Sequence, residues 1–490
     1  MAGDIPPGRP GNLTEEQEVK LREFWIATFN VFGVPLDGEE SSNMSISDIS
    51  SNGTKSYPGS TTDLPDKKKK RHLNPFSKKK RLESHSTGDL PEEEKESTKT
   101  ASSTPTTDDK YGQNQAFDKA VQDMGPDEIR SAFWSMVKHD HPDGLLLRFL
   151  RARKWDINKA LVMLISTMHW RAKEAHVDDE VVYKGDGGAV ADLQSSDPAV
   201  AQEAKDRLLQ LRMGKSFLHG TDKLGRPMCY VRARLHNANA QSESSLDWYT
   251  IYVIETARLL LHGNVDTATV VFDMSNFGLA NMDYTPVKFM IKCFEANYPE
   301  SLGIVLVHKA PWVFQGIWAI IKGWLDPVVA GKVHFTRSAE DLKNYIDAEH
   351  IPKELEGEED WEYNYPEPKP EDDILMKNED EKKRLRDERA VVVKEYERTT
   401  QAWIKTSPTD KAAGELQAKR NELAEKLRIN HWATDPYIRA RTMYDRQGVI
   451  QKDGTIEFYP KAGEGTVNGV AKDEENTPKP TAETSQDDVD

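Results

Sequence analysis

Cysteine is nearly absent from this chain of 490 residues: Cys229 and Cys293 are the only two. That excludes a disulfide framework and agrees with a reducing compartment, and both thiols are expected to be small buried core residues rather than nucleophiles. Apolar residues are sparse as well, at 37% against 30% charged, and the mean hydropathy is -0.71. Such a balance fits one packed region diluted by polar flanks, since segments poor in apolar side chains cannot offset the entropy of ordering. No apolar run approaches the ~20 residues that span a bilayer, so membrane contact is expected to be peripheral. The opening MAGDIPPGRPGNLTEEQ has neither the apolar run nor the cleavage site of a secretory signal, and a cytoplasmic location is expected. Lys and Arg number 66 against 82 Asp and Glu, a formal net charge of -16, which argues against nucleic acid as a partner.

Catalytic arrangements are missing too. Met213-Gly214-Lys215-Ser216 looks like the end of a phosphate loop, but Leu209 stands where its first glycine is required. Gly185-Asp186-Gly187-Gly188 follows no strand and reads as a loop. His139, Asp140, His141 and Asp143 precede a helix without further ligands at zinc spacing, and capping and loop solvation account for them. No G-x-S-x-G elbow aims a serine. The expectation is a protein that is not an enzyme, with no catalytic residue, no metal and no cofactor beyond whatever ligand it carries.

What is present divides the chain into six parts. Residues 1–36 hold a capping box, Thr14 with Gln17, followed by Leu21, Phe24, Trp25, Phe29 and Phe32 at helical spacing. This amphipathic helix is expected to dock on the main domain, with membrane insertion the other reading. Residues 37–115 read as a disordered arm. Within it Lys67, Lys68, Lys69, Lys70 and Arg71, then Lys78, Lys79, Lys80 and Arg81, form two basic clusters around Phe76. Anionic lipid, nuclear import and plain solvation are all open readings of that segment. Residues 116–180 contain two packed helices in LLLRFLRARKWDINKALVMLISTMHWR. Residues 181–366 begin with a hairpin, Phe217 to Arg234, turning at Thr221 to Pro227. Helices at about 246–261, 286–296 and 312–325 then alternate with the apolar runs TATVVFDM, GIVLVHK and KVHF. That alternation predicts an α/β domain with a largely parallel sheet and a helical preface. Residues 367–461 carry two helical stripes, Leu385, Val392, Tyr396 and Trp403, then Leu416, Leu423 and Leu427, a hairpin that packs on the body or on a partner. Residues 462–490 are an acidic tail.

LLRFLRARKWD, the glycine-bounded strand pair, the tripeptide Tyr298-Pro299-Glu300 ahead of a strand, a long apolar helix, and LDPVVAGK occur in one order and spacing. Over about Gly125 to Pro366 the chain resembles the CRAL-TRIO lipid-binding family, in particular the Sec-fourteen-like phosphatidylinositol transfer proteins of fungi. The resemblance implies a sheet flooring an apolar cavity for acyl chains, with a mobile helix over its mouth. The matching helix spans Pro311 to Leu325 and is apolar on nearly every face, so two sides of it are expected to be covered. Phe314, Trp318, Ile321 and Trp324 fall near one stripe of this gate, and Gly316 and Gly323 weaken it. In the resembling family the inositol headgroup is met by the basic pair closing R-A-R-K, the acid of Y-P-E and the lysine after L-D-P. Those are Arg153, Lys154, Glu300 and Lys332 here.

Two departures qualify the resemblance. Ala268 and Val270 stand where relatives that also take phosphatidylcholine carry hydroxyls, and neither can donate to a phosphate. In a regular strand the neighbouring Thr267 and Thr269 face the other way. A second ligand, if any, is then a sterol or another apolar molecule. Glu356-Gly357 replaces the two glycines of many relatives. The implied function is binding of phosphatidylinositol and its transfer between membrane surfaces. The alternative is a scaffold or sensor that presents phosphatidylinositol or a sterol-like ligand to a lipid-modifying enzyme.

Overall fold

The computed structural model describes residues 5–36 and 109–459. The basic clusters Lys67–Arg71 and Lys78–Arg81 and the acidic tail lie outside them.

The capping box forms as its spacing requires: Thr14 accepts from the Gln17 backbone while the Gln17 side chain reaches back, and α1 runs Glu15–Val31. Phe24, Trp25 and Phe29 of α1 are fully buried. They pack with the helical preface, α2 (Gln113–Asp123), α3 (Pro126–Val137), α4 (Pro142–Ala152) and α5 (Ile157–His169), through α3, α4 and α5, while α2 lies on α5. Leu146, Phe149 and Leu150 of the LLRFLRAR run face the same core.

Two expectations for this region fail. Asp186 to Asp192 is helical, part of α6 (Tyr183–Asp192), with the chain breaking direction only at Gly185. Asp186 is fully buried there and accepts from Arg446 at 2.5 Å and Tyr365 at 2.8 Å, a long-range pairing that local glycine content conceals. His139 and Asp143 are not solvated loop residues either. His139 is half-buried with both ring nitrogens shielded from solvent, which lowers its pKa, and Asp143 is 2% exposed. Only the capping half of that expectation holds, His141 accepting from the Asp143 backbone.

After α7 (Pro198–Arg212), β1 (Ser216–Thr221) and β2 (Pro227–Arg232) form the expected antiparallel hairpin. The chain then runs through α8 (Glu243–Leu259), β3 (Ala268–Asp273), α9 (Tyr284–Lys292), β4 (Leu302–His308), α10 (Phe314–Trp324) and β5 (Val333–Thr336). The sheet order is β1-β2-β3-β4-β5, parallel from β2 onward. The fold is therefore α/β with a mostly parallel sheet. Side chains alternate across it: Leu306 and Val271 join Leu342, Ile346 and Ile351 beneath, whereas Val305, Val307 and Val270 face α9 and α10. Thr269 points away from the latter face and donates to Asp222 at 2.6 Å. Glu356 adopts φ +64 with its side chain paired to Lys309, while a Cβ on Gly357 would fall 2.0 Å from the Ile351 carbonyl oxygen. The second glycine is thus the sterically required one.

The C-terminal hairpin packs on the body. Its helices are α11 (Glu379–Lys405) and α12 (Lys411–Ile438). Leu385, Tyr396 and Trp403 are buried from the first stripe, with Val393 rather than Val392 turned inward; Leu423 and Leu427 are buried from the second. Arg420 crosses from α12 to Asp143 of α4, an acid that also accepts from Trp25 Nε1 at 2.8 Å and Tyr396 at 3.1 Å. Arg420 Nε donates to Thr400 at 2.9 Å, and the guanidinium lies 4.1 Å from the Trp403 ring. A second buried acid, Glu255 of α8, accepts from Lys138 and Arg171, each at 2.6 Å, and from Tyr298 at 2.8 Å. Burial alone would raise the pKa of both acids; Arg420 and His141 at Asp143, and Arg171 and Lys138 at Glu255, overcome it and hold them below their ordinary values.

Arg420→Met leaves Asp143 buried without its cation and should cost about 3–5 kcal/mol, read as a lowered urea midpoint. Because the folded-state pKa values of Asp143 and Glu255 lie below their unfolded values, the unfolded chain binds more protons in acid. Their stabilisation is complete at neutral pH and should fall as pH drops below about 4.5; a pH series of unfolding curves measures that slope.

Candidate functional site

The face of the sheet turned toward α9 and α10 borders a cavity with about 1450 Å³ of empty space, its open mouth included. Its floor is Val270 and Phe272 of β3, Val305 and Val307 of β4, and Val333 of β5. Val287, Met290 and Ile291 of α9 form one wall, and Phe314, Trp318 and Ile321 of α10 another. The period-2 strands and the 3.6-period helices each deliver one apolar face to the same space, and no side chain fills it.

α10 covers the cavity with one face only. Phe314, Ile317 and Ile321 are buried, and Trp318 packs edge-on against Phe335 at 5.5 Å. Trp324 does not line the cavity; its ring meets Tyr284 at 5.2 Å and lies 4.9 Å from the Lys288 ammonium, coupling α10 to α9. The protein itself covers one face of this helix and leaves the other open. Gln315, Gly316, Ala319, Ile320, Lys322 and Gly323 are exposed, so the outward face is small and mixed rather than a second apolar stripe. Ile320 is 47% exposed, and Trp312 and Val328 beside the helix are 85% and 59% exposed.

The four predicted headgroup residues are not among the cavity-lining side chains. Glu300 and Lys332 stand at the edge where the parallel strands begin, two residues before β4 and one before β5. Lys332 Nζ donates to the Leu302 carbonyl at 2.7 Å, and Leu302 does line the cavity. Glu300 has φ +56, and its carbonyl accepts from Arg148 at 2.9 Å. Among the described residues its carboxylate has no hydrogen-bond or ion-pair partner. Arg153 ends α4 and donates to Gln113 Oε1; Gln113 in turn donates to the Ala296 carbonyl at 3.3 Å, just upstream of Tyr298-Pro299-Glu300. Lys154 follows in a left-handed conformation with an exposed side chain. Lys332 thus contacts residues 296–302 directly, whereas Arg153 reaches them through Gln113.

Arg148 was not singled out by sequence pattern, because the RFLRAR run offers several cations and no local signal says which one reaches Glu300. Arg151 serves structure: it donates to Asp266 at 3.1 Å and to the Gly8 carbonyl at 2.7 Å. Burial and the neighbouring Arg9 bring its pKa down to about 10. At the hydroxyl positions, Val270 presents a methyl surface to the cavity, while Ala268 sits at a register irregularity between β3 and β4 and does not line it. Cys229 and Cys293 are both buried, with their pKa values raised by burial, that of Cys229 to about 12.

Comparison with known proteins places this architecture. The model of the CRAL/TRIO domain matches residues 211–357, and that of the CRAL/TRIO N-terminal domain matches residues 113–166. A CRAL-TRIO domain-containing protein of Schizosaccharomyces pombe, C3H8.02, is 42% identical over 445 residues, covering 90% of this chain and 92% of that protein. The chain belongs to the CRAL-TRIO family. A second fungal member, named phosphatidylinositol transfer protein CSR1 from Eremothecium gossypii, is 38% identical over 92% of this chain and all of its own length. A partial likeness to the crystal structure of Sfh5 has 18% identity and a TM-score of 0.37, over 52% of this chain and 90% of that one. The extended match to C3H8.02 and CSR1 means that this CRAL-TRIO chain shares its flanking segments, not only the lipid-binding domain, with fungal relatives.

A ring introduced into the cavity floor by Val270→Phe should reduce the lipid that co-purifies with the protein severalfold. Because it grows into empty space, it should escape the overpacking cost of a filled core. Mass spectrometry of extracted lipid, set beside a thermal melt, checks both statements.

Proposed function

We propose that this CRAL-TRIO protein binds phosphatidylinositol, one molecule at a time, and exchanges it between membrane surfaces without chemical change. The observation that carries the reading is the Glu300 carboxylate, without a hydrogen-bond or ion-pair partner among the described residues, at the same edge of the sheet as Lys332. A carboxylate accepts from inositol hydroxyls, and cations with several donors hold a phosphate. Acyl chains would occupy the space between the sheet and α10, and Arg153, Lys154, Glu300 and Lys332 would close on the headgroup as it enters. The name of the Eremothecium relative supports the same ligand class.

Membrane contact in this reading is peripheral: among the described residues no helix is long and apolar enough to cross a bilayer. On an outward face that is otherwise small and mixed, the exposed Trp312, Ile320 and Val328 are the apolar side chains that would insert shallowly during exchange. The alternative, a scaffold presenting lipid to an enzyme through the C-terminal hairpin, loses part of its basis, because the apolar stripes of α11 and α12 are spent on the body of the same chain.

Lys332→Ala and Glu300→Gln should each lower phosphatidylinositol transfer between liposomes at least tenfold while leaving the melting temperature within a few degrees of the parent; undiminished transfer would remove that residue from the site. Ile320→Ser should slow transfer without changing the lipid content of the purified protein.

A further inference from the structure

The cavity has a second polar end. Lys215, the residue before β1, and His236, beyond β2, line it at the edge where β2 and β3 end, as does Asp283 at the start of α9. Glu300 and Lys332 mark the opposite edge, so the length of β3 or β4, 6 and 7 residues or about 20–23 Å, separates the two ends.

Lys215 is 6% exposed. Its ammonium donates to Gln241 Oε1 at 3.1 Å and to His236 Nδ1 at 3.3 Å. With Nδ1 accepting, His236 carries its proton on Nε2 and donates it to Asp283 at 3.3 Å. Among the described residues no carboxylate lies within ion-pair distance of Lys215: Asp283 reaches it only through the imidazole. Two of its three N–H groups are used, both on neutral acceptors. Burial accordingly pulls its pKa down to about 8, against the weaker upward influence of Asp283. The other charged neighbour in the wall, Arg232, is satisfied by Glu354 at 2.5 and 2.7 Å. A buried cation without a counter-ion is costly and persists where something else supplies the charge.

We infer that Lys215 is a second recognition point, which takes the carboxylate of a single-chain lipid acid whose hydrocarbon tail lies along the sheet toward Leu302 and Val333. One remaining N–H suits a monovalent carboxylate rather than a phosphate, which calls for several donors. The apolar wall between the two ends suits an alkyl chain. Such a cargo would compete with phosphatidylinositol for the same volume while using a different polar anchor. The inference needs the cavity to hold lipid but not the headgroup role of Glu300 and Lys332.

Displacement of cis-parinaric acid from the full chain by oleate and by oleyl alcohol tests it, with Lys215→Met, Lys215→Arg and Lys332→Ala compared. Lys215→Met should weaken oleate at least tenfold and leave oleyl alcohol unchanged; Lys215→Arg should restore oleate to within a few-fold. Lys332→Ala should leave oleate unchanged whether or not it affects phosphatidylinositol, which separates this inference from the headgroup reading. Equal losses for oleate and oleyl alcohol in Lys215→Met, or an unaltered oleate affinity, would overturn it.

Discussion

The sheet is covered on its two faces by different means, and most of the molecule follows from that asymmetry. Beneath, Val271 and Leu306 pack against Leu342, Ile346 and Ile351 as an ordinary close-packed core. Above, Val270, Val305 and Val307 face a space that the protein itself leaves open. A parallel sheet is stable only with both faces out of water, and α9 and α10 keep Val270, Val305 and Val307 buried while leaving an open cavity over them.

A domain that keeps a cavity must be held together elsewhere. The buried charge networks sit away from the open space: Asp143 with Arg420, Trp25 and Tyr396 joins α1, α4, α11 and α12, and Glu255 with Lys138, Arg171 and Tyr298 fastens α8 to the helical preface. α10 by contrast is anchored by apolar contacts and by the Trp324 pairing with Tyr284 and Lys288. Its glycines Gly316 and Gly323 face open space. Directional bonds hold the frame, and weaker, non-directional contacts hold α10 over the cavity.

Lys215, His236 and Asp283 line the cavity at one end and form a chain of hydrogen bonds from cation to anion; Glu300 and Lys332 stand on loops at the opposite edge of the sheet, outside the lining. Between them the wall is aliphatic and aromatic. An apolar wall discriminates weakly among chains of similar size, so selectivity in such a cavity rests on the polar groups at its ends.

Sequence by itself determined whatever rests on short-range periodicity or punctuation: the Thr14 to Gln17 capping box, the hairpin turning at Thr221 to Pro227, and strands β3 to β5 between helices. It also carried the family, through LLRFLRARKWD, Tyr298-Pro299-Glu300 and LDPVVAGK in order. Tertiary structure alone decided where charges find their partners. Asp186 looked like part of a glycine loop until Arg446, 260 positions away, buried it in a helix. Trp324 shared a stripe with Phe314 but turned to α9. Lys215 was the remnant of a failed phosphate loop, yet the hairpin fold sets it in the wall of the cavity beside His236. Periodicity is local, so a sequence displays it directly; the compensation of a buried charge depends on residues brought together only by packing, and one chain read in order does not show it.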